Sequence, residues 1–117
     1  MMGLFGKSGN VDVDERKVRA FIDWFLENSD RITASVINRM QDRKTMLTVM
    51  DEVGEQLGLV YRDGYKGKVE FDYYEIGDKW ELNLYHSNKP FLMKATKKIA
   101  DGINSLKHPL WTVHVNK

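Results

Sequence analysis

Three carboxylates and one histidine are the side chains whose types and spacing best suit chemistry in this chain. Glu70 and Asp72 stand two residues apart in one alternating segment, and Glu81 follows in the next. In a strand this spacing places both carboxylates on one face, with roughly 6.5–7 Å between their Cα atoms. Such groups could bind a divalent cation or divide acid and base roles. His114, close to the end of the chain, is the histidine that could pair with Asp72 or Glu81.

These carboxylates belong to a predicted β-hairpin at residues 68–86, which has one apolar and one polar face. Successive side chains of a strand point to opposite faces, so the alternation identifies the buried side of both strands. Gly77-Asp78 suits a two-residue turn, because glycine adopts a positive φ without steric cost. The apolar face comprises Val69, Phe71, Tyr73, Trp80, Leu82 and Leu84. The pairs that the turn predicts are Phe71 with Leu84, Asp72 with Asn83, Tyr73 with Leu82 and Tyr74 with Glu81.

The polar face of the hairpin is the candidate binding site. His114 joins it if Trp111 faces the core from the last strand, because alternate side chains share a face. The candidate residues are Glu70, Asp72, Tyr74, Glu81, Asn83, Tyr85 and His114. Tyrosine is enriched at protein interfaces, and carboxylates complement basic partners, so the face predicts a docking site for a basic protein. The alternative is an ordinary solvated face, which antiparallel sheets commonly have.

Neither a catalytic residue nor a metal ligand is predicted, although an enzyme on the same face is the second hypothesis. That enzyme would act on a small molecule or depend on a metal, and it would use His114 with Asp72 or Glu81. A general acid normally needs an apolar pocket to raise its pKa, and the polar face supplies no obvious one. The three histidines lack the one-turn helical spacing of a zinc site, and the chain has no cysteine. We therefore predict no cofactor and favour a protein that is not an enzyme.

Charge is distributed unevenly along a chain whose formal net charge is +1. Residues 69–86 carry five acidic residues and one lysine, whereas residues 87–117 carry six lysines and one aspartate. Lys94, Lys97 and Lys98 lie in a predicted helix, so nucleic acid binding through this helix is a third hypothesis. RNA-binding sheets need aromatic side chains and positive charge on the same surface, and here the tyrosines lie among carboxylates. Nucleic acid is therefore not the favoured partner.

Apolar stripes predict the helices that must support the hairpin. The first helix covers about residues 13–28, and a second helical region covers about 33–57. The charged stretch at 41–44 could interrupt the second region, so one helix or two are both possible. Pro90 is predicted in the first turn of the lysine-bearing helix, where its missing N–H costs nothing. The three tryptophans fall on predicted apolar faces and are assigned to the core: Trp24, Trp80 and Trp111.

The predicted order of elements is α-α-β-β-β-α-β. A short strand at 59–62 precedes the hairpin, and a last strand at 110–115 follows the lysine-bearing helix. The crossover through that helix should make the last strand parallel to the strand before it. The fold class is therefore α+β, a two-layer sandwich with a mixed four-stranded sheet and helices on one face.

The chain is expected to be one domain at residues 11–117, preceded by a mobile leader at 1–10 that contains three glycines. No apolar run approaches the roughly 18–20 residues that span a bilayer. The first residues also lack the pattern of a secretory signal peptide. We therefore expect a cytoplasmic protein with no membrane partner.

Two aromatic motifs frame the domain, Phe21-Ile-Asp-Trp24-Phe25-Leu-Glu-Asn28 in the first helix and Trp111-Thr-Val-His-Val115 at the end. With the lysine-bearing helix before the last strand, this order resembles a family of uncharacterised bacterial α+β domains. The likeness covers about residues 15–115 and implies the fold, because the family has no established activity to transfer. The polar face adds the leading hypothesis, a small bacterial interaction or regulatory module of the inhibitor or immunity type. Homodimerisation through an exposed edge strand is a variant of it.

Overall fold

The structure is a computed structural model that describes residues 12–117 as four helices and one three-stranded mixed sheet. The helices are α1 (Glu15–Glu27), α2 (Ser29–Ile37), α3 (Arg43–Tyr61) and α4 (Pro90–Ser105). The strands are β1 (Phe71–Ile76), β2 (Lys79–Tyr85) and β3 (Trp111–Asn116). The α+β class is confirmed, and the predicted leader at 1–10 lies outside the described residues. Among residues 12–117 there is no helix with the length and apolar character needed to cross a membrane.

The second helical region consists of two helices, which decides between the two alternatives that the sequence left open. The break lies at residues 38–42, so Arg43 and Lys44 of the charged stretch already belong to the first turn of α3. The first of the two helices, α2, begins after the single residue Asn28, four residues earlier than predicted. Asp42 then caps α3: its carboxylate accepts hydrogen bonds from the Thr45 N–H at 3.1 Å and from the Thr45 hydroxyl at 2.7 Å. An N-cap carboxylate stabilises a helix because the first N–H groups lack partners within the helix.

The predicted strand at 59–62 is wrong, because α3 continues through this segment to Tyr61. So short an apolar run cannot be assigned to a strand or a helix by periodicity alone. Val60 and Tyr61 extend the buried stripe of α3 that includes Leu57, and both are only 2% exposed. The sheet therefore has three strands within the described residues, and the predicted four-stranded sheet is corrected.

Two glycines on α3 lie against the segment that leads into β1. A Cβ atom on Gly58 would lie 3.8 Å from Val69 Cγ2, and one on Gly54 would lie 3.4 Å from Phe71 Cε1. Both distances correspond to ordinary van der Waals contact, so a methyl group fits at each glycine. Gly58 thus lies inside the helix, where glycine costs backbone entropy, and it does not end the helix.

Replacing Gly58 with alanine is expected to raise the free energy of unfolding by about 0.5–1 kcal/mol, because alanine favours the helix and its methyl group fits against Val69. Urea denaturation monitored by circular dichroism measures the change. The matched control is Gly77→Ala in the hairpin turn, where φ is 64° and alanine is strained. This control should lose about 1 kcal/mol. A loss of stability in Gly58→Ala would contradict the space between Gly58 and Val69, because it would mean that a methyl group does not fit there.

The hairpin forms with the predicted register. All four predicted pairs are present between the antiparallel strands β1 and β2. Gly77 adopts the positive φ that the turn requires. The last strand, β3, pairs with β2 in parallel after the crossover through α4, as predicted. Alternation in the sequence therefore assigned each side chain of the hairpin to the correct face.

Trp111 lies at the centre of the core between the sheet and the helices. Its ring meets Phe25 edge-on at 5.5 Å and stacks with Trp80 at 6.0 Å between centroids. The indole N–H donates to Thr33 Oγ1 at 2.7 Å, so the buried donor on this side chain is satisfied. The core positions predicted for Trp80 and Trp111 are confirmed, whereas Trp24 is only half-buried.

Candidate functional site

The open face of the sheet, which is the face that points away from the helices, carries all seven candidate residues. Strand register and alternation bring them together, with Glu70 immediately before β1. The open face comprises Glu70, Asp72, Tyr74 and Ile76, then Lys79, Glu81, Asn83 and Tyr85, and finally Thr112, His114 and Asn116. The grouping that the sequence predicted is therefore the grouping that the structure has.

A hydrogen-bonded cluster links β1 and β2 on the open face. The Tyr85 hydroxyl donates to Asp72 Oδ2 at 3.0 Å. Hydrogen bonding with Tyr74, and then with Asp72, raises the pKa of Tyr85 well above its ordinary value. Tyr85 therefore remains a protonated donor at neutral pH, which suits it to holding Asp72 in place and not to accepting a proton.

Asn83 forms a second link, between β2 and β3. Its Oδ1 accepts from Asn116 Nδ2 at 2.6 Å, and its Nδ2 donates to Glu81 Oε1 at 3.2 Å. Asn83 is only 2% exposed, so its side chain is shielded from solvent by its neighbours on the open face. Sequence reasoning missed this burial because Asn83 is a short side chain on the central strand. It also missed Asn116, one residue beyond the predicted end of the last strand.

The carboxylates of the open face lack ion pairs within residues 12–117, in contrast to basic residues of the helices. No ion pair is formed by Glu70, Asp72 or Glu81 among these residues. Lys97 pairs with Asp101 at 2.7 Å, and Lys98 pairs with a carboxylate of α1. Two of the three lysines of the nucleic acid hypothesis thus have carboxylate partners, whereas Glu70, Asp72 and Glu81 have none within residues 12–117. The open face also carries one lysine, Lys79.

Within residues 12–117, His114 forms neither an ion pair nor a hydrogen bond with Asp72 or Glu81, the two carboxylates predicted as its partners. His114 lies opposite Asn83, and β2 separates it from Asp72 in β1. Adjacent strands are roughly 4.8 Å apart, so the Cα atoms of His114 and Asp72 are separated by about 10 Å. Asp72 and Glu81 instead accept hydrogen bonds from Tyr85 and Asn83. The residues that the enzyme hypothesis required are on one face, but they are not assembled for proton transfer.

The other two histidines, His86 and His108, each accept hydrogen bonds from nearby backbone N–H groups. His86 Nδ1 accepts from the Asn88 N–H at 2.9 Å. His108 Nδ1 accepts from the N–H groups of Leu110 and Trp111 at 3.0 and 3.1 Å. Within the part of the chain that the structure describes, no three His, Cys, Asp or Glu side chains are grouped so that they could hold a metal ion.

A concavity of about 490 Å³ lies at the end of the open face where β1 begins. It is lined by Lys68, Val69, Glu70, Phe71, Asp72, Tyr85 and Lys117. Two lysines, Lys68 and Lys117, lie at this end with Glu70 and Asp72, but neither forms an ion pair with them within residues 12–117. Glu81 lies outside the concavity, on β2. The lining combines charged and aromatic side chains, an arrangement that suits binding through hydrogen bonds and ring contacts.

Comparisons of the chain with protein-family models, with curated proteins and with solved structures find no significant match. The resemblance to uncharacterised bacterial α+β domains therefore stays a prediction. The geometry of the open face is the basis on which a function can be proposed.

Proposed function

We propose that the chain is a binding module that docks a basic protein surface on the open face of its sheet. The observation that carries the proposal is that the polar side chains of this face are held by hydrogen bonds while its carboxylates lack basic partners among the described residues. Its polar side chains are tied to one another across all three strands. Its carboxylates nevertheless have no ion pairs within residues 12–117. An ordered acidic surface loses little side-chain entropy when a basic partner binds.

Exposed apolar groups beside these carboxylates support the same proposal. Tyr74 is 48% exposed and Ile76 is 54% exposed, both at the outer strand of the open face. Protein interfaces combine aromatic and apolar contact area with a polar rim. The carboxylates would steer a basic partner towards the face and exclude acidic ones, while Tyr74 and Ile76 would supply buried contact area.

The proposal is tested with a capped eight-residue peptide of alternating lysine and valine as the probe. Fluorescence polarisation at low and at physiological salt measures its affinity for the wild-type chain and for Glu70→Lys/Asp72→Lys/Glu81→Lys. The triple variant should bind the peptide at least about tenfold more weakly, because attraction at three positions becomes repulsion. Circular dichroism verifies that the variant is folded.

A matched control separates this face from general electrostatic attraction. Asp23→Lys/Asp51→Lys/Glu55→Lys makes the same change in net charge on exposed helical carboxylates, which have no ion pair within residues 12–117. The control should lose much less affinity than the open-face variant. Equal losses in the two triple variants would contradict the proposal, since net charge alone would then explain the binding.

A further inference from the structure

The two outer edges of the sheet differ in their free hydrogen-bonding groups. At the outer edge of β3, the Val113 N–H donates to Asn104 Oδ1 and the Asn104 Nδ2 donates to the Val113 carbonyl, each at 2.8 Å. A side chain of α4 thus occupies the middle of that edge. The opposite edge of the sheet is β1, which pairs with β2 on one side only.

The register identifies which backbone groups of β1 are free. The Trp80 N–H donates to the carbonyl of Leu110, the residue before β3, at 2.7 Å. The His86 N–H donates to the carbonyl of Asn116 in β3 at 3.1 Å. Because bonding direction alternates along a strand, the even-numbered residues of β2 bond to β3 and its odd-numbered residues bond to β1.

The same alternation therefore divides β1 into two sets. The residues opposite the odd-numbered positions of β2 direct their backbone groups towards β2: Asp72, Tyr74 and Ile76. The other set directs its N–H and C=O groups outwards: Phe71, Tyr73 and Glu75. No hydrogen bond to these outward groups is found within residues 12–117. The β1 edge can accept a further strand over its whole length.

We propose that β1 pairs with a strand of the basic partner in which apolar and basic residues alternate. This inference rests on the proposed function and names how the partner binds. Main-chain hydrogen bonds to Phe71, Tyr73 and Glu75 supply the pairing, and alternate side chains supply the selectivity.

The two faces of β1 determine the chemistry of that strand. Phe71 and Tyr73 are half-buried on the helical side, where Tyr73 also contacts Trp80 at 6.1 Å between ring centroids. A neighbouring strand gains most there from apolar side chains. On the open face Asp72 and the preceding Glu70 lie beside the same edge, so lysine or arginine fits that side. A strand with this alternation adds apolar side chains to the helical side of the sheet and basic side chains to its open face.

A second copy of this chain fits the edge less well. When two copies pair antiparallel with their helical layers on the same side, their open faces become continuous. The carboxylates of both copies, Glu70, Asp72 and Glu81, then share one surface and repel each other. A basic strand instead neutralises this charge, which is why the partner and not a second copy is the proposed occupant.

Backbone methylation of the lysine–valine peptide tests strand addition. In an extended peptide the backbone N–H groups of the valines point to one edge and those of the lysines point to the other. Methylating the backbone nitrogens of one residue type therefore blocks one edge of the peptide strand and leaves the other edge intact. One of the two methylated peptides should therefore bind about tenfold more weakly than the parent, while the other should retain its affinity. Equal affinities of the two methylated peptides would overturn the inference.

A protein variant provides the complementary test. Glu75→Pro removes an outward N–H from β1 without removing a bond to β2, and proline is tolerated on edge strands for this reason. Glu75→Ala is the matched control, because both changes remove the ion pair with Arg39. Glu75→Pro should bind the parent peptide about tenfold more weakly than Glu75→Ala. Equal binding by two folded variants would contradict strand pairing at this edge.

These outcomes separate the inference from the proposed function. If open-face charge reversal weakens binding but neither methylation nor Glu75→Pro discriminates, the docking face stands and strand addition is overturned. If charge reversal has no effect, the proposed function fails. Light scattering of the free chain should find a monomer. A dimer that Glu75→Pro dissociates would overturn the assignment of the edge to a partner strand.

Discussion

Replacing Trp111 with alanine is expected to lower the free energy of unfolding by about 3–5 kcal/mol, more than any other single substitution proposed for this chain. The side chain is 1% exposed, and its loss removes contacts with Phe25 and Trp80 together. It also leaves the Thr33 hydroxyl without the indole donor. Because small domains are only marginally stable, this loss is a large share of the total free energy of unfolding. Urea denaturation monitored by circular dichroism measures it.

The control for Trp111 is the half-buried tryptophan of α1. Trp24 packs against Phe21 at 6.2 Å between centroids but keeps part of its ring in solvent. Trp24→Ala should therefore cost less than half as much as Trp111→Ala. Similar losses from the two changes would contradict the position of Trp111 as the central contact between sheet and helices.

Gly64→Ala is expected to lower the free energy of unfolding by about 1–3 kcal/mol, through overpacking of the core. A Cβ atom at Gly64 would overlap the Phe91 ring at Cδ1, Cγ and Cε1. Phe91 is 4% exposed in the first turn of α4, so its ring cannot move aside without disturbing its neighbours. The same substitution at Gly58 should have the opposite sign, because its methyl group makes only ordinary van der Waals contact with Val69.

Thermal or urea denaturation of the two glycine variants side by side gives the comparison. Opposite signs are expected for Gly64→Ala and Gly58→Ala. A Gly64→Ala variant as stable as wild type would mean that the turn after α3 does not press against Phe91.

The hairpin was predictable because two independent signals agree there. Alternation fixes the face of every side chain, and the Gly77 turn fixes the register, so a slip of one residue would bury carboxylates. The segment at 59–62 has neither a long alternating pattern nor a turn residue that would fix its structure. Its four residues suit a strand or a last helical turn equally. The helical turn is the arrangement that places Val60 and Tyr61 on the buried stripe of α3 with Leu57.

The candidate site was predictable in its membership but not in its connections. Alternation alone groups Asp72, Asn83 and His114 on one face. The burial of Asn83 depends on the longer side chains around it and on Asn116 from a strand distant in sequence. Likewise, the contact between Asn104 and Val113 joins α4 to β3. No local pattern encodes such a contact, yet it is what distinguishes the two sheet edges.

The most direct test of the docking face is a titration of the ¹⁵N-labelled wild-type chain with the lysine–valine peptide, followed by amide chemical shifts. We predict that the largest shifts fall on β1 and on the open-face residues of β2, including Asp72, Tyr74 and Glu81. Amides beside the helical carboxylates Asp23 and Asp51 should change little. Shifts concentrated on the helices, with β1 and β2 unchanged, would contradict docking on the open face.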